Sequence, residues 1–290
     1  MATLREIKQR IKGIKSTQQI TKAMKMVAAA KMRRAQENMY SARPYATKIQ
    51  ELIQNLVSAI DESGSPFLQD RPVKHITLIV VTGDRGLCGS FNGNAIKKAL
   101  QEFDEYKGKE VSLICVGKKG YEFFRKRDYK ISANYVGVFN VLDFSYADQI
   151  SNFLIEEFLA ERTDAVKIVF NEFKSAAQQN LVSQSILPFS GLEAVDGEEA
   201  AKQIDYLYEP SQEALLDALL PRFIKTQVWR GLLESYAAEQ AARMMAMENA
   251  TENAKELIRD LTLQYNKARQ ASITKEILEI VGGAEALKSE

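Results

Sequence analysis

The residues with the strongest claim to chemistry lie in GDRGLCGS, Gly83 to Ser90, between a run of β-branched residues and a helical stretch. A strand, a glycine-rich turn and a helix can aim backbone N–H groups at a phosphate. In detail the pattern fails. A phosphate-binding loop needs Gly, four residues, then Gly-Lys-Ser/Thr, and here Cys88 replaces that Gly and Gly89 the Lys; Gly86 and Gly89 do not make G-x-G-x-x-G either. A structural turn is therefore the favoured reading. His75 is the sole histidine, which leaves no Ser-His-Asp or Cys-His nucleophile and no His-based metal site. Two cysteines, Cys88 and Cys115, are too few for a disulfide scaffold and read as reduced and structural. The carboxylate pair Glu198-Glu199 falls in an acidic stretch and reads as solvated surface rather than an acid–base pair. The expected sets of catalytic, cofactor-binding and metal-binding residues are all empty.

Charge is the next signal. Residues 1–48 hold twelve Lys or Arg against Glu6 and Glu37, a net of +10, which leaves −9 for the rest of a chain whose formal total is +1. Such a basic segment suits a partner of opposite sign: nucleic acid, a membrane surface or an acidic protein channel. Aromatic residues are absent before Tyr40 and an apolar seam runs through the same stretch, which favours a partner helix over nucleic acid. Met24, Met26 and Met32 fit a flexible packing or sliding surface better than a cofactor box. With 46% apolar and 27% charged residues among 290, the composition excludes a disordered chain, and no run approaches the ~18 apolar residues of a membrane span. The first residues lack the apolar core of a secretory signal. Their basic, acid-poor start imitates a transit peptide, but they belong to a longer periodic helix, so retention and a cytoplasmic protein are expected.

That helix is the clearest element. From Leu4 to Ile60 a three-four spacing runs through seventeen positions, fourteen of them apolar, interrupted at Gln18, Thr21 and Lys25. A sustained 3.5-residue repeat makes a coiled-coil seam, here about 85 Å long, which Pro44 should kink. A second seam runs from Leu233 to Ala268 with Gln240 and Thr251 as its polar positions, then slips by one to Ile273, Ile277, Ile280, Ala284 and Leu287. The two can pair antiparallel, and their alanines allow close approach. Between them, apolar strands at 76–82, 111–116 and 166–170 alternate with helices at 95–103, 121–126 and 146–160, and 181–187 adds an edge strand. The expected fold is a Rossmann-like α/β central domain with a mostly parallel sheet, plus a long antiparallel coiled coil of the N- and C-terminal helices. Its expected divisions are 1–60 for the first helix, 73–192 for the α/β domain, 193–210 for an acidic connection and 211–287 for the last helix. Judged on the residues, a nucleotide-using α/β enzyme with dimerising helices and a nucleic-acid-binding coiled coil remain alternatives.

ITKAMKMVAAAKMRRAQ (Ile20 to Gln36), GDRGLCG, YLYEPS (Tyr206 to Ser211) and the closing segment from Glu239 to Leu287, ending in ITKEILEIVGGAEAL, closely resemble the gamma subunits of F-type ATP synthases. The resemblance spans essentially the whole chain. It implies a noncatalytic central rotor shaft, standing in a ring of alpha and beta subunits, resting on the c-ring of the membrane sector and touching the epsilon subunit. It implies neither nucleic acid as a partner nor a membrane span.

By match to the family's motifs, Arg269 and Gln270 resemble the pair that engages a beta-subunit loop, with Thr274 and Glu276 as supporters. Met24, with Lys22 and Lys25, resembles the segment passing the beta subunit's lower lever, facing Glu239 and Arg243. Tyr206, Tyr208 and Glu209 resemble the segment facing the c-ring and epsilon. The polar break at Gln18, Thr21 and Lys25 is expected to be where the helices part or exchange polar contacts. The central cysteine-bearing insertion of chloroplast members is missing, so no thiol switch is expected. The resemblance is to bacterial members, which places the chain at the cytoplasmic face of the plasma membrane.

Overall fold

The structure is a computed structural model that describes residues 3–59, 65–69, 71–189 and 211–288. Its elements run α1 (Leu4–Ala59), β1 (His75–Val81), α2 (Phe91–Glu105), β2 (Glu110–Val116), α3 (Lys118–Arg125), β3 (Ile131–Tyr135), α4 (Phe144–Leu159), β4 (Ala165–Phe173), β5 (Gln179–Leu187) and α5 (Gln212–Lys288). The chain divides into two compact units, one of Met1–Val27 with Met244–Glu290, the other of Ala28–Arg243.

The larger unit is built on a five-stranded sheet in the order β3-β2-β1-β4-β5, parallel except for β5, which pairs antiparallel with β4. Parallel pairs need crossover connections, and α2, α3 and α4 supply them. Six of the seven residues of β1 are buried, as expected of a strand covered on both faces. One face packs Leu78, Val80, Leu113, Cys115 and Val169 against α2 and α3, with Phe124 and Ala99 at its centre. On the other, Ile79, Ile114, Ile168 and Phe170 meet α4 through Ile150, Leu154 and Phe158. The long helices join this second core: Ile49, Ile53 and Leu56 of α1 and Leu220, Ile224, Val228 and Leu232 of α5 belong to it. Gly231 lets α5 approach, since a Cβ there would lie 2.8 Å from Ile168 Cδ1.

Several local outcomes differ from the sequence-based expectation. Phe91, Asn92 and Gly93, which precede the helix expected at 95–103, already belong to α2, because Phe91 is buried with Ala35, Met39, Leu233 and Ala237 and draws the chain into the helix early. Strand β3 escaped the pattern reading: ISANY is short and alternates half-buried with exposed positions at a sheet edge. By contrast, the helices expected over 1–60 and 211–287 continue through their prolines, Pro44 in α1 and Pro221 in α5.

In the smaller unit, α1 starts with a capping box. Thr3 N–H donates to Glu6 Oε2 (2.9 Å) and Glu6 N–H to Thr3 Oγ1 (3.3 Å), which satisfies two of the donors a helix start leaves free. The pairing is antiparallel: the Thr21 and Thr251 hydroxyls are 2.8 Å apart and Lys25 Nζ lies 2.6 Å from Glu248 Oε1. Ile7 and Ala254 are buried along this seam. Near the start of α1, Ile7 and Arg10 share a groove with Leu261, Ala268 and Ala271.

Candidate functional site

In open α/β sheets the ligand crevice lies outside the carboxyl ends of the strands, where the strand order reverses. Here that point is between β1 and β4, since β2 and β3 lie to one side of β1 and β4 to the other. The chain occupies it with its own side chains. Glu234 of α5, with a side chain 1% exposed, accepts the Phe173 N–H (3.1 Å) and faces Arg43 of α1 (3.4 Å), while the Ser235 hydroxyl accepts the Asn171 N–H (3.4 Å). Beyond the end of β1, Gly83 N–H donates to Asn92 Oδ1 (2.7 Å), and Asp84 Oδ1 accepts the N–H groups of Lys118 (3.0 Å) and Gly137 (2.9 Å). The N–H groups of Gly83, Lys118 and Gly137 at this edge are thus taken by the chain itself. Glu239 also lies against the loop, with its Oε1 2.9 Å from where a Cβ on Gly83 would be. Two buried carboxylates at this edge would repel an anion, so the loop reads as a joint between the sheet and α5.

Arg243 completes the joint. Its guanidinium pairs with Glu239 and donates to the Gly86 carbonyl. Burial pushes the Glu239 carboxyl above the usual range, with Asp84 adding to the rise and Arg243 and Lys31 opposing it. The thiol of Cys88 is pushed up by burial and by Glu239, and burial alone raises that of Cys115 to about 12. Both thiols are buried and free. Among the described residues there is no cluster of three or more His, Cys, Asp or Glu side chains able to hold a metal ion, and no helix is long and apolar enough to cross a membrane.

The expected contact residues fall into distinct places. Arg269, Gln270, Thr274 and Glu276 are all exposed on α5; the Thr274 hydroxyl bonds the Gln270 carbonyl (3.0 Å), and Ser272 reaches Glu276 (3.4 Å). Met24 is half-buried and Lys22 exposed on α1. Lys25 is paired with Glu248, and within the larger unit Glu239 and Arg243 engage each other and Gly86. Thr21 and Lys25 exchange polar contacts across the seam with Thr251 and Glu248. Of the slipped apolar phase, Ile273, Ile277 and Ile280 are exposed, Ile280 to 71%, and Leu278 and Val281 with them, while the side chains of Ala284 and Leu287 lie outside the described residues. The change of phase at that point was the available signal that pairing stops there. Tyr206, Tyr208 and Glu209 lie outside the described residues.

The family model for ATP synthase matches residues 3–287. The chain is 53% identical to the ATP synthase gamma chain of Prosthecochloris aestuarii and 51% identical to that of Chloroherpeton thalassium, each alignment covering 99% of both chains. This chain belongs to the ATP synthase gamma-chain family. Among solved structures, a chain of the central stalk and c-ring of the Tetrahymena thermophila mitochondrial ATP synthase superposes with a TM-score of 0.63 at 28% identity, over 80% of this chain and 99% of that one. A chain of the Euglena gracilis mitochondrial enzyme shares the fold at a TM-score of 0.68 and 23% identity, over 99% and 95%. A filled crevice agrees with the family's gamma chain as a noncatalytic stalk subunit.

Proposed function

We propose that this chain is the central rotor shaft of an F-type ATP synthase, a noncatalytic subunit that couples ion-driven rotation of the c-ring to conformational cycling of the catalytic sites on the beta subunits. The observation that carries this reading is the end-to-end match to gamma chains, at about half identity over 99% of both lengths. Its partners are then the alpha and beta subunits, the epsilon subunit and the c-ring, and its place is the cytoplasmic face of the bacterial plasma membrane.

Coupling requires that each orientation of the shaft favour one conformation of a given beta subunit, because a ligand shifts an equilibrium only by its differential affinity. An asymmetric helix tip suits this role. On α5, Arg269, Ile273, Glu276 and Ile280 follow one another at i, i+4, i+7 and i+11, and Gln270, Thr274, Ile277 and Val281 form the adjoining row. One row alternates charge with aliphatic surface, while the other carries an amide and a hydroxyl followed by two aliphatic residues, so a turn about the axis exchanges directional polar contacts. Arg269 and Gln270 are assigned to a beta-subunit loop, with Thr274 and Glu276 supporting them. Met24, Lys22 and Lys25 are assigned to the beta subunit's lower lever, and Tyr206, Tyr208 and Glu209 to the c-ring and epsilon. The test is reconstitution with matching alpha and beta subunits. A stable complex whose ATP hydrolysis depends on this chain and falls in the Arg269→Ala, Gln270→Ala double variant is the expected result; ATPase activity in this chain alone, without assembly, would overturn the reading.

A further inference from the structure

The joint at Gly83–Gly89 contains more than packing requires. The loop turns on Leu87 at φ +62° and Gly89 at φ +59°; a leucine in the left-handed region is strained and persists only where its surroundings hold it. Leu87 is 67% exposed and Arg85 is exposed as well, so their side chains do not anchor the loop from within. The anchors come from outside the tip. Asn92 Nδ2 reaches the Arg85 carbonyl (3.2 Å), and Arg243 of α5 donates to the carbonyl of Gly86 (2.5 Å). Glu239, one turn before Arg243 and 3% exposed, holds the guanidinium with Oε1, while Gln240 approaches its Oε2 (3.5 Å). A buried ion pair is weak evidence for stability but a good device for fixing one geometry.

We infer that Glu239 and Arg243 are positioning residues that clamp the Gly83–Gly89 loop to α5, so that rotation of the helix carries the exposed tip, Arg85 and Leu87, with it instead of letting it lag. The mechanical consequence rests on the rotor reading; the clamp itself does not.

The test uses the full chain and then the complete synthase in vesicles, with Arg243→Lys, which keeps the charge but loses the planar fork, and Glu239→Gln, which keeps the shape but loses the charge. In the chain alone, trypsin cleavage after the exposed Arg85 should quicken tenfold or more in both variants while hydrogen exchange in β1 and β2 stays at the parent rate. In the vesicles, ions pumped per ATP hydrolysed should fall at least threefold. Unchanged cleavage after Arg85 would overturn the clamp, and quickened exchange in β1 alongside faster cleavage would reduce the pair to a general structural tie and overturn it too. Faster loop cleavage with unaltered pumping per ATP would overturn the transmission step. A parent chain whose loop resists cleavage as the clamp requires, yet supports no coupled pumping, would sink the rotor reading and leave the clamp standing.

Discussion

Between residues 28 and 243 the two long helices are layers of a packed domain, with Ile53, Leu56, Leu220 and Ile224 buried alongside the sheet residues Ile79 and Phe170. In the unit of residues 3–27 and 244–288 the same two helices form a thin ladder in which Ile7 and Ala254 alternate with a Thr21–Thr251 hydroxyl pair and a Lys25–Glu248 ion pair. A sheet core is close-packed on every side, so an added or lost atom is felt by many neighbours. A two-helix seam meets water along both flanks, so a polar layer costs little and can fix register. The difference suits a shaft: one unit holds a unique shape, the other tolerates polar layers and an exposed end.

The largest test of that contrast is Gly117→Ala. Gly117 has φ +90° and a Cβ there would sit 1.9 Å from the Thr82 carbonyl oxygen, so the larger unit should lose about 3 kcal/mol or more in urea unfolding. Hydrogen exchange between residues 5 and 20 should be unmoved; a matching loss there would abolish the distinction between the units.

Next is Glu234→Ala, which orphans the buried Phe173 N–H and releases the half-exposed Arg43 to water, with an expected cost of about 1–3 kcal/mol by the same measurement. A cost below the worth of one exposed ion pair would show that α5 contributes packing alone to the crevice.

Asp164 supplies a smaller, pH-dependent effect. Its burial raises the carboxyl, but the N–H groups of His75 (2.8 Å) and Lys74 (2.9 Å) and the charges of His75 and Arg71 outweigh that and hold it below the ordinary range. A lowered folded value means that the contribution is complete above the ordinary value of about 3.9 and disappears as pH falls through the folded value. The stability that the parent holds over Asp164→Asn should therefore be fully present at pH 6 and shrink as the pH falls below about 3.9. A difference that grows with acid would reverse the assignment.

The smallest effect is expected in the thin unit. Replacing both seam hydroxyls, Thr21→Val with Thr251→Val, removes the polar pair without orphaning a partner and should leave local stability unchanged or raised by up to about 1 kcal/mol, read as slower exchange near residue 251. A loss of more than that would show that this seam is as exacting as the sheet core.

The strands β1, β2 and β4 and both long helices were legible because each carries one unambiguous period: continuous apolar runs for doubly covered strands and a three-four spacing for the seams. Strand β3 was not, because ISANY is a five-residue edge strand whose apolar positions are only half-buried. At the helix ends, the exposed polar residues Arg269, Gln270, Thr274 and Glu276 could be proposed from motif resemblance, but no periodicity distinguishes a residue that contacts a partner from one that contacts water. The Ile273, Ile277 and Ile280 phase looked like a seam because period records which residues share a face and is silent about whether anything covers it.

The sequence by itself therefore determined the helices, the parallel layer, the basic first segment and the failure of the phosphate-loop pattern, all of which follow from residue type at short spacing. Tertiary structure alone decided that Glu234, Ser235, Glu239 and Arg243, more than 140 residues from the loop end of β1, come back to fill the crevice there. Such contacts are set by how α5 packs on the sheet through Gly231, and no local pattern encodes the partner of a buried carboxylate that far along the chain.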